Sequence, residues 1–142
     1  MVRRLDELDE LEVMALTVWG EARGEGEDGQ AAVACVIRNR ASCQPRSWWG
    51  GDIRSVCLKP WQFSVWNEQD PNRDKMLGLR PDDPALCRIR EICRRVLAGE
   101  IGDPTGGCTH YCTQVSRPAW TSGRDPKVTL GRHGFYAIGP GA

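Results

Sequence analysis

The stretch WGEARGEGEDGQAAVACVIRNR, Trp19 to Arg40, closes one periodic apolar segment, breaks at Gly24 and Gly26, and enters a second. Behind it, Leu8, Leu11, Ala15, Val18 and Ala22 recur at steps of three and four, which predicts an amphipathic helix with Asp6 as N-cap and the glycines as its stop. Ahead of it, Asp28 is placed to cap a second helix. Val33, Val36, Ile37 and Arg40 share one face there, and Ala31, Ala32 and Ala34 allow a neighbour to approach closely.

The first helix carries Glu21 close to its end. At about 100° per residue with Leu11 at zero, Ala15, Val18 and Ala22 fall within about 40°, and Glu21 lies roughly 80° away, on the shoulder of the buried face. A carboxyl group there is partly desolvated and sits at the negative end of the helix dipole. Both effects oppose ionisation, the condition a general acid needs near neutral pH. Glu25, four residues on, lies among glycines in a wetter position, where it shapes the cleft or binds Arg23 or Gln30. Two glutamates flanking an arginine are also what an ordinary charged helix end carries.

Elsewhere a short helix is expected around Asp52 to Cys57. A long one spans Pro84 to Ala98, started by Asp82-Asp83-Pro84 and stopped by Gly99. After Gly102 the segments GGCTHYCTQ, RPAWTSG and GRHGFYAIG read as short strands and turns. With no repeat or linker in view, the fold class is α+β, mainly helical, over residues 1–142 as a single domain with a small β element near its C-terminus.

Among 142 residues, 19 basic and 19 acidic side chains balance, which excludes the single-sign field of a dedicated nucleic-acid binder. Sixteen of the basic residues are arginine and there are six tryptophans, types that suit flat, polar, partly anionic ligands such as carbohydrate. Seven cysteines make an odd number, and MVRRLDELDELEVMALTVW reads as neither a signal peptide nor a membrane span. The expectation is a monomer made in the cytoplasm without a signal peptide, with reduced thiols and no membrane insertion. A Cys43–Cys57 disulfide is open only to a chain that matures elsewhere.

Read in order, Trp19–Arg40, WQFSVW (Trp61–Trp66), CTHYC with RPAW (Cys108–Trp120) and GRHGFY (Gly131–Tyr136) resemble one family, the SleB/CwlJ-type, spore-cortex-lytic cell-wall hydrolases. The resemblance runs from about Leu11 to Tyr136. It implies a lysozyme- and lytic-transglycosylase-like domain, with Glu21 as the catalytic acid and peptidoglycan glycan strands as the partner. The bond cut is the β-1,4 link between N-acetylmuramic acid and N-acetylglucosamine, with no cofactor and no metal.

Further candidates to contact substrate are Glu25, Gln62, Phe63, Ser64, Thr109, His110, Tyr111 and Trp120. In Gln62-Phe63-Ser64, a short extended segment aims both polar groups outward while Phe63 packs; Thr109 and Tyr111 share one face of a strand with His110 on the other. Trp61, Trp66 and Trp120 are candidates to stack on sugar rings or to fill the core. The family's spore enzymes carry an export signal and often a wall-binding module. Neither is evident in this sequence, so a phage or prophage endolysin reaching the wall by holin-type release is the expected setting. The resemblance implies a lytic transglycosylase giving 1,6-anhydro-muramic products, with a hydrolytic muramidase using Glu25 as a second carboxylate as the alternative, and two readings from other classes compete with both. One is a zinc amidase or peptidase built on Cys108, His110, Cys112 and His133. The other is a non-catalytic wall-binding or phage structural protein.

Overall fold

The computed structural model describes residues 3–43, 48–60 and 62–138. Among these residues, helices α1 (Glu10–Ala22), α2 (Glu27–Ser42), α3 (Ile53–Leu58), α4 (Pro71–Leu77) and α5 (Pro84–Leu97) precede strands β1 (His110–Thr113), β2 (Val128–Leu130) and β3 (His133–Tyr136). The strands form an antiparallel sheet in the order β1-β3-β2, with Tyr111 opposite Phe135 and Thr129 opposite Gly134. The α+β class with a small C-terminal sheet is as expected. No helix among the described residues is long and apolar enough to cross a membrane.

Helix α1 begins at Glu10, because Asp9 leaves an extended backbone and its carboxylate accepts the Glu12 amide at 2.8 Å. Asp6 instead lies in a 3-10 turn, Leu5–Glu7. Nor is the helix amphipathic. Every residue from Glu12 to Trp19 is buried, while Leu11, at the centre of the expected apolar stripe, is only half-buried. The cause is tertiary: α2, α3, α4, α5 and a 3-10 turn, Ser64–Trp66, all pack on it. Its polar groups are paired accordingly. Thr17 donates to the Val13 carbonyl at 2.7 Å and accepts from the Trp66 indole at 2.8 Å.

Glu12 accepts from Arg3 at 2.6 Å and from both Nε and Nη2 of Arg90 at 2.7 and 3.0 Å, tying the N-terminal segment to α5. Gly20 allows the closest approach to α1. A Cβ there would lie 2.6–2.8 Å from the Val65 side chain, so the Ser64–Trp66 turn packs on α1 one residue before Glu21 only because the helix has a glycine at this point.

Helix α2 is capped by Gly26 rather than Asp28, which falls inside the first turn. Its buried residues divide between two neighbours. Ala31, Val33, Ala34 and Ile37 join the helical core, whereas Ala32 and Val36 pack with Cys108 and Phe135 under the sheet. Val33 and Val36 therefore serve opposite sides, not the one face expected.

Helix α3 follows an Asp52 cap and α5 an Asp83 cap, close to the helices expected around Asp52 to Cys57 and over Pro84 to Ala98. Helix α4 was not anticipated; Asp70 caps it by accepting the Asn72 amide at 2.8 Å and Pro71 opens it. Of the segments read as short strands and turns, RPAWTSG supplies a 3-10 turn, Ala119–Thr121, and β2 comes from the Val128–Leu130 segment.

Candidate active site

Glu21 occupies the last turn of α1 and is half-buried. Its carboxylate accepts the Tyr111 hydroxyl at 2.5 Å, a contact that spans 90 positions of sequence and joins the central helix to β1. Burial pushes the Glu21 carboxyl above its ordinary range, and the nearby charge of Asp70 pushes the same way; the Tyr111 hydrogen bond and the Arg40 guanidinium oppose them without prevailing. Tyr111 is itself held far above its ordinary range by burial and by the Glu21 charge, so it remains a phenol and a donor. The outcome is a carboxyl group that holds its proton more tightly than usual beside one fixed donor.

Arg40, near the end of α2, positions that donor. It is buried, and its Nε donates to the Thr109 carbonyl at 2.7 Å while Nη1 reaches Gln62 Oε1 at 3.4 Å. Its guanidinium also lies 5.3 Å from the Phe63 ring centroid and 5.8 Å from that of Trp49. The preceding Asn39 donates to the Cys108 carbonyl at 3.0 Å and to Asp103 at 2.8 Å. Asp103 in turn accepts the amides of Thr105 and Gly107, which shapes the loop entering β1. The Asn39-Arg40 pair thus clamps the backbone just before Tyr111. Neither was singled out as a site residue, although Arg40 on an otherwise apolar helix face was a visible signal of a buried, paired cation.

Glu25 is not wet. Its side chain is only 9 % exposed, with Oε1 at 3.2 Å from His133 Nδ1 and 3.5 Å from Arg132 Nε. Gly131, at φ +59°, lies so close that a Cβ there would meet Glu25 Oε2 at 2.6 Å. The β2–β3 turn therefore closes over this carboxylate. Gln30 binds the Glu25 carbonyl at 3.2 Å rather than its side chain, and Arg23 turns away to stack on Trp19 and bond Asn72 at 3.1 Å.

The remaining candidates separate by position. Gln62 and Ser64 are exposed and Phe63 is buried, the expected alternation, but Gln62 lies in a turn and Ser64 opens a 3-10 turn where an extended segment was expected. Thr109 is buried and donates to the Ile138 carbonyl at 2.6 Å. His110 packs edge-on between Trp49 and Trp120, at 5.8 and 5.1 Å, on the side of the strand away from Tyr111. Burial and the Arg40 and Arg124 charges push its pKa down to about 4, so it is neutral near pH 7. Trp66 lies partly buried against the core through its bond to Thr17, and Trp61 lies outside the described residues.

The zinc set does not assemble: Cys108 is fully buried against Ala32, Val36 and Phe135, and His133 faces Glu25. Among the described residues no three His, Cys, Asp or Glu side chains are grouped to hold a metal ion. Cys35 and Cys57 are fully buried in the core, where burial pushes the Cys57 thiol up to about 12.

Residues 24–136 match the model of the family described as cell wall hydrolase, a match that opens three residues after Glu21. The spore cortex-lytic enzyme of Halalkalibacterium halodurans is 30% identical over 128 residues, covering 89% of this chain and 34% of that protein. That of Oceanobacillus iheyensis is likewise 30% identical over 128 residues, covering 89% of this chain and 41% of its own length. The chain thus spans well under half the length of these curated relatives. Among solved structures, the catalytic domain of the Bacillus cereus SleB protein aligns with a TM-score of 0.69 at 27% identity, covering 89% of this chain and 88% of that one. The catalytic domain of the germination-specific lytic transglycosylase SleB from Bacillus anthracis aligns at 0.67 with 27% identity, covering 89% and 92%. Sequence and fold agree, and the chain belongs to the SleB/CwlJ-type family of cell wall hydrolases.

Proposed function

We propose that this protein cuts the β-1,4 bond between N-acetylmuramic acid and N-acetylglucosamine in peptidoglycan as a lytic transglycosylase, with Glu21 as its single acid and base. The observation that carries this reading is the half-buried Glu21 carboxyl, raised in pKa at a helix C-terminus and bonded to the Tyr111 phenol at 2.5 Å. A glycosidic oxygen leaves only when protonated as the C–O bond breaks, which requires a carboxylic acid that is still protonated near neutral pH. Glu21 gives its proton to the departing N-acetylglucosamine oxygen. The muramic C6 hydroxyl then attacks C1 and returns its proton to the Glu21 carboxylate, which closes a 1,6-anhydro ring and restores the acid.

Two features favour this over hydrolysis with a second carboxylate. Glu25 is enclosed beneath the Gly131 turn, its Oε1 facing Arg132 and His133 without a hydrogen bond to either, and Asp70, the other acid whose charge reaches Glu21, has one carboxylate oxygen occupied as the α4 N-cap. Tyr111 holds the acid's orientation, and Arg40 places Tyr111 and offers positive charge near the developing carboxylate. Exposed Gln62 and Ser64 are assigned to sugar hydroxyl or N-acetyl groups, and Trp120 to stacking on a ring.

Glu21→Gln is expected to abolish lysis of purified peptidoglycan with the far-ultraviolet circular dichroism retained, whereas Glu25→Gln weakens it. Mass spectrometry of the wild-type digest should show muramic products lighter by one water. Full activity in the Glu21 variant, or reducing muramic ends throughout the digest, would sink this assignment.

A further inference from the structure

The outer face of the sheet carries a groove outside the site described above, a cavity of about 320 Å³ lined by Arg117, Arg124, Asp125, Thr121, Thr129 and Tyr136 among others. Both arginines are exposed, and neither guanidinium takes part in a hydrogen bond or ion pair among the described residues. Arg117 also holds a left-handed backbone, φ +37°, directly before a proline, a conformation that few residues other than glycine adopt. Two unpaired guanidinium forks beside one carboxylate suit a ligand that presents a carboxylate, with a place for an amine at Asp125.

From the groove a file of packed aromatic rings runs inward towards the acid, ending at the buried Trp49. Tyr136 in the groove wall lies 5.0 Å from Trp120, Trp120 lies 5.1 Å from His110, and His110 lies 5.8 Å from Trp49. Trp49 in turn faces the Arg40 guanidinium, whose charge reaches Glu21. A glycan chain has flat apolar ring faces, and its muramic units carry a peptide with free carboxylates. We propose that this groove binds the carboxylate-bearing peptide stem of the substrate, so that Arg117 and Arg124 select strands that still carry stems. This rests on the transglycosylase reading for its substrate but not for its binding chemistry.

The test is a nuclear magnetic resonance titration of the full chain with the soluble tripeptide L-Ala-γ-D-Glu-diaminopimelate. Shifts are expected at the amides of Cys112, Thr129 and Gly134, with affinity falling at least tenfold in Arg117→Gln/Arg124→Gln and several-fold in Arg124→Gln alone. Kinetics on stem-bearing and enzymatically denuded strands should show the double variant losing about tenfold in its kcat/KM ratio for the former over the latter. No peptide binding by the wild-type chain, equal competition by inorganic phosphate, or an unchanged ratio would overturn the proposal. A wild-type chain that binds the peptide yet cleaves neither strand would instead overturn the glycosidase reading and leave the groove assignment standing.

Discussion

At Glu21 two opposed influences meet: burial and a helix C-terminus favour the protonated form, while one phenol and one guanidinium favour loss of the proton. Tyr111→Phe removes only the hydrogen bond, which stabilises the charged form, so the Glu21 pKa should rise further. An enzyme that needs Glu21 protonated loses activity as pH climbs through that pKa. The descending limb of the pH profile should therefore move to higher pH in Tyr111→Phe, with a fall in kcat of about tenfold from the lost orientation. A limb that stays in place would mean Tyr111 does not act on the acid. The same logic separates Glu21 from Glu25. Helical geometry alone assigned Glu21 to a desolvated shoulder, and the structure agrees. For Glu25 the expectation failed, because what covers it, the Gly131 backbone and the His133 ring at the start of β3, lies more than a hundred residues later.

Between elements, the packing of the Ser64–Trp66 turn on α1 depends on Gly20. Alanine ordinarily favours a helix interior over glycine by about 1 kcal/mol. Here its methyl group would overlap both the Cβ and γ-methyls of Val65, and overpacking of that kind costs about 1–3 kcal/mol. Gly20→Ala should lower the urea midpoint despite its better propensity and should impair lysis, since the displaced turn packs on the helix turn that carries Glu21. A midpoint above wild type would show that the turn yields freely.

The Glu12 latch to Arg3 and Arg90 is a second junction between elements. Burial alone would raise the Glu12 carboxyl, yet its hydrogen bonds to Arg90 and Arg3 hold it below the ordinary range. A depressed pKa means that its stabilisation is present above the unfolded-state value and disappears as pH falls through the folded-state value. Glu12→Gln should therefore cost about 3 kcal/mol at pH 7 and much less near pH 3, read from urea melts at the two pH values. An equal loss at both would place the effect in packing, not charge.

Across the whole molecule, the core divides unequally. One large cluster unites α1, α2, α3, α4 and α5, and a second, of Ala32, Val36, Cys108 and Phe135, seats the sheet on the outer side of α2. Few buried apolar contacts mean a low cost of local opening. Hydrogen exchange should find the amides of β1 and β3 opening well below the global unfolding free energy, and those of α1 and α2 only with it. Uniform protection would show that the Asn39 and Arg40 bonds to β1 make the sheet part of one cooperative unit. Since Tyr111 rides on β1, this difference also sets how firmly the acid's partner is held.

Much of this architecture was legible in local sequence. The position of α2 follows from apolar spacing and the glycines before it, and those of α3 and α5 from acid-led starts, with Pro84 opening α5, because these signals act within one turn of helix. Glu21 stood out for the same reason, as its place relative to the apolar stripe and the helix end is a local matter. What lies around an element was not legible. The burial of α1 on all sides, the division of α2 between two cores, the closure of the Gly131 turn over Glu25 and the clamp of Asn39 and Arg40 on β1 all join residues far apart in the chain. By itself, then, the sequence determined where the long helices α1, α2 and α5 run and that Glu21 sits near a helix end beside the apolar positions. Only the tertiary structure decided what that carboxyl group's neighbours are, because the desolvation, the phenol and the guanidinium that tune it arrive from elements brought together by long-range packing.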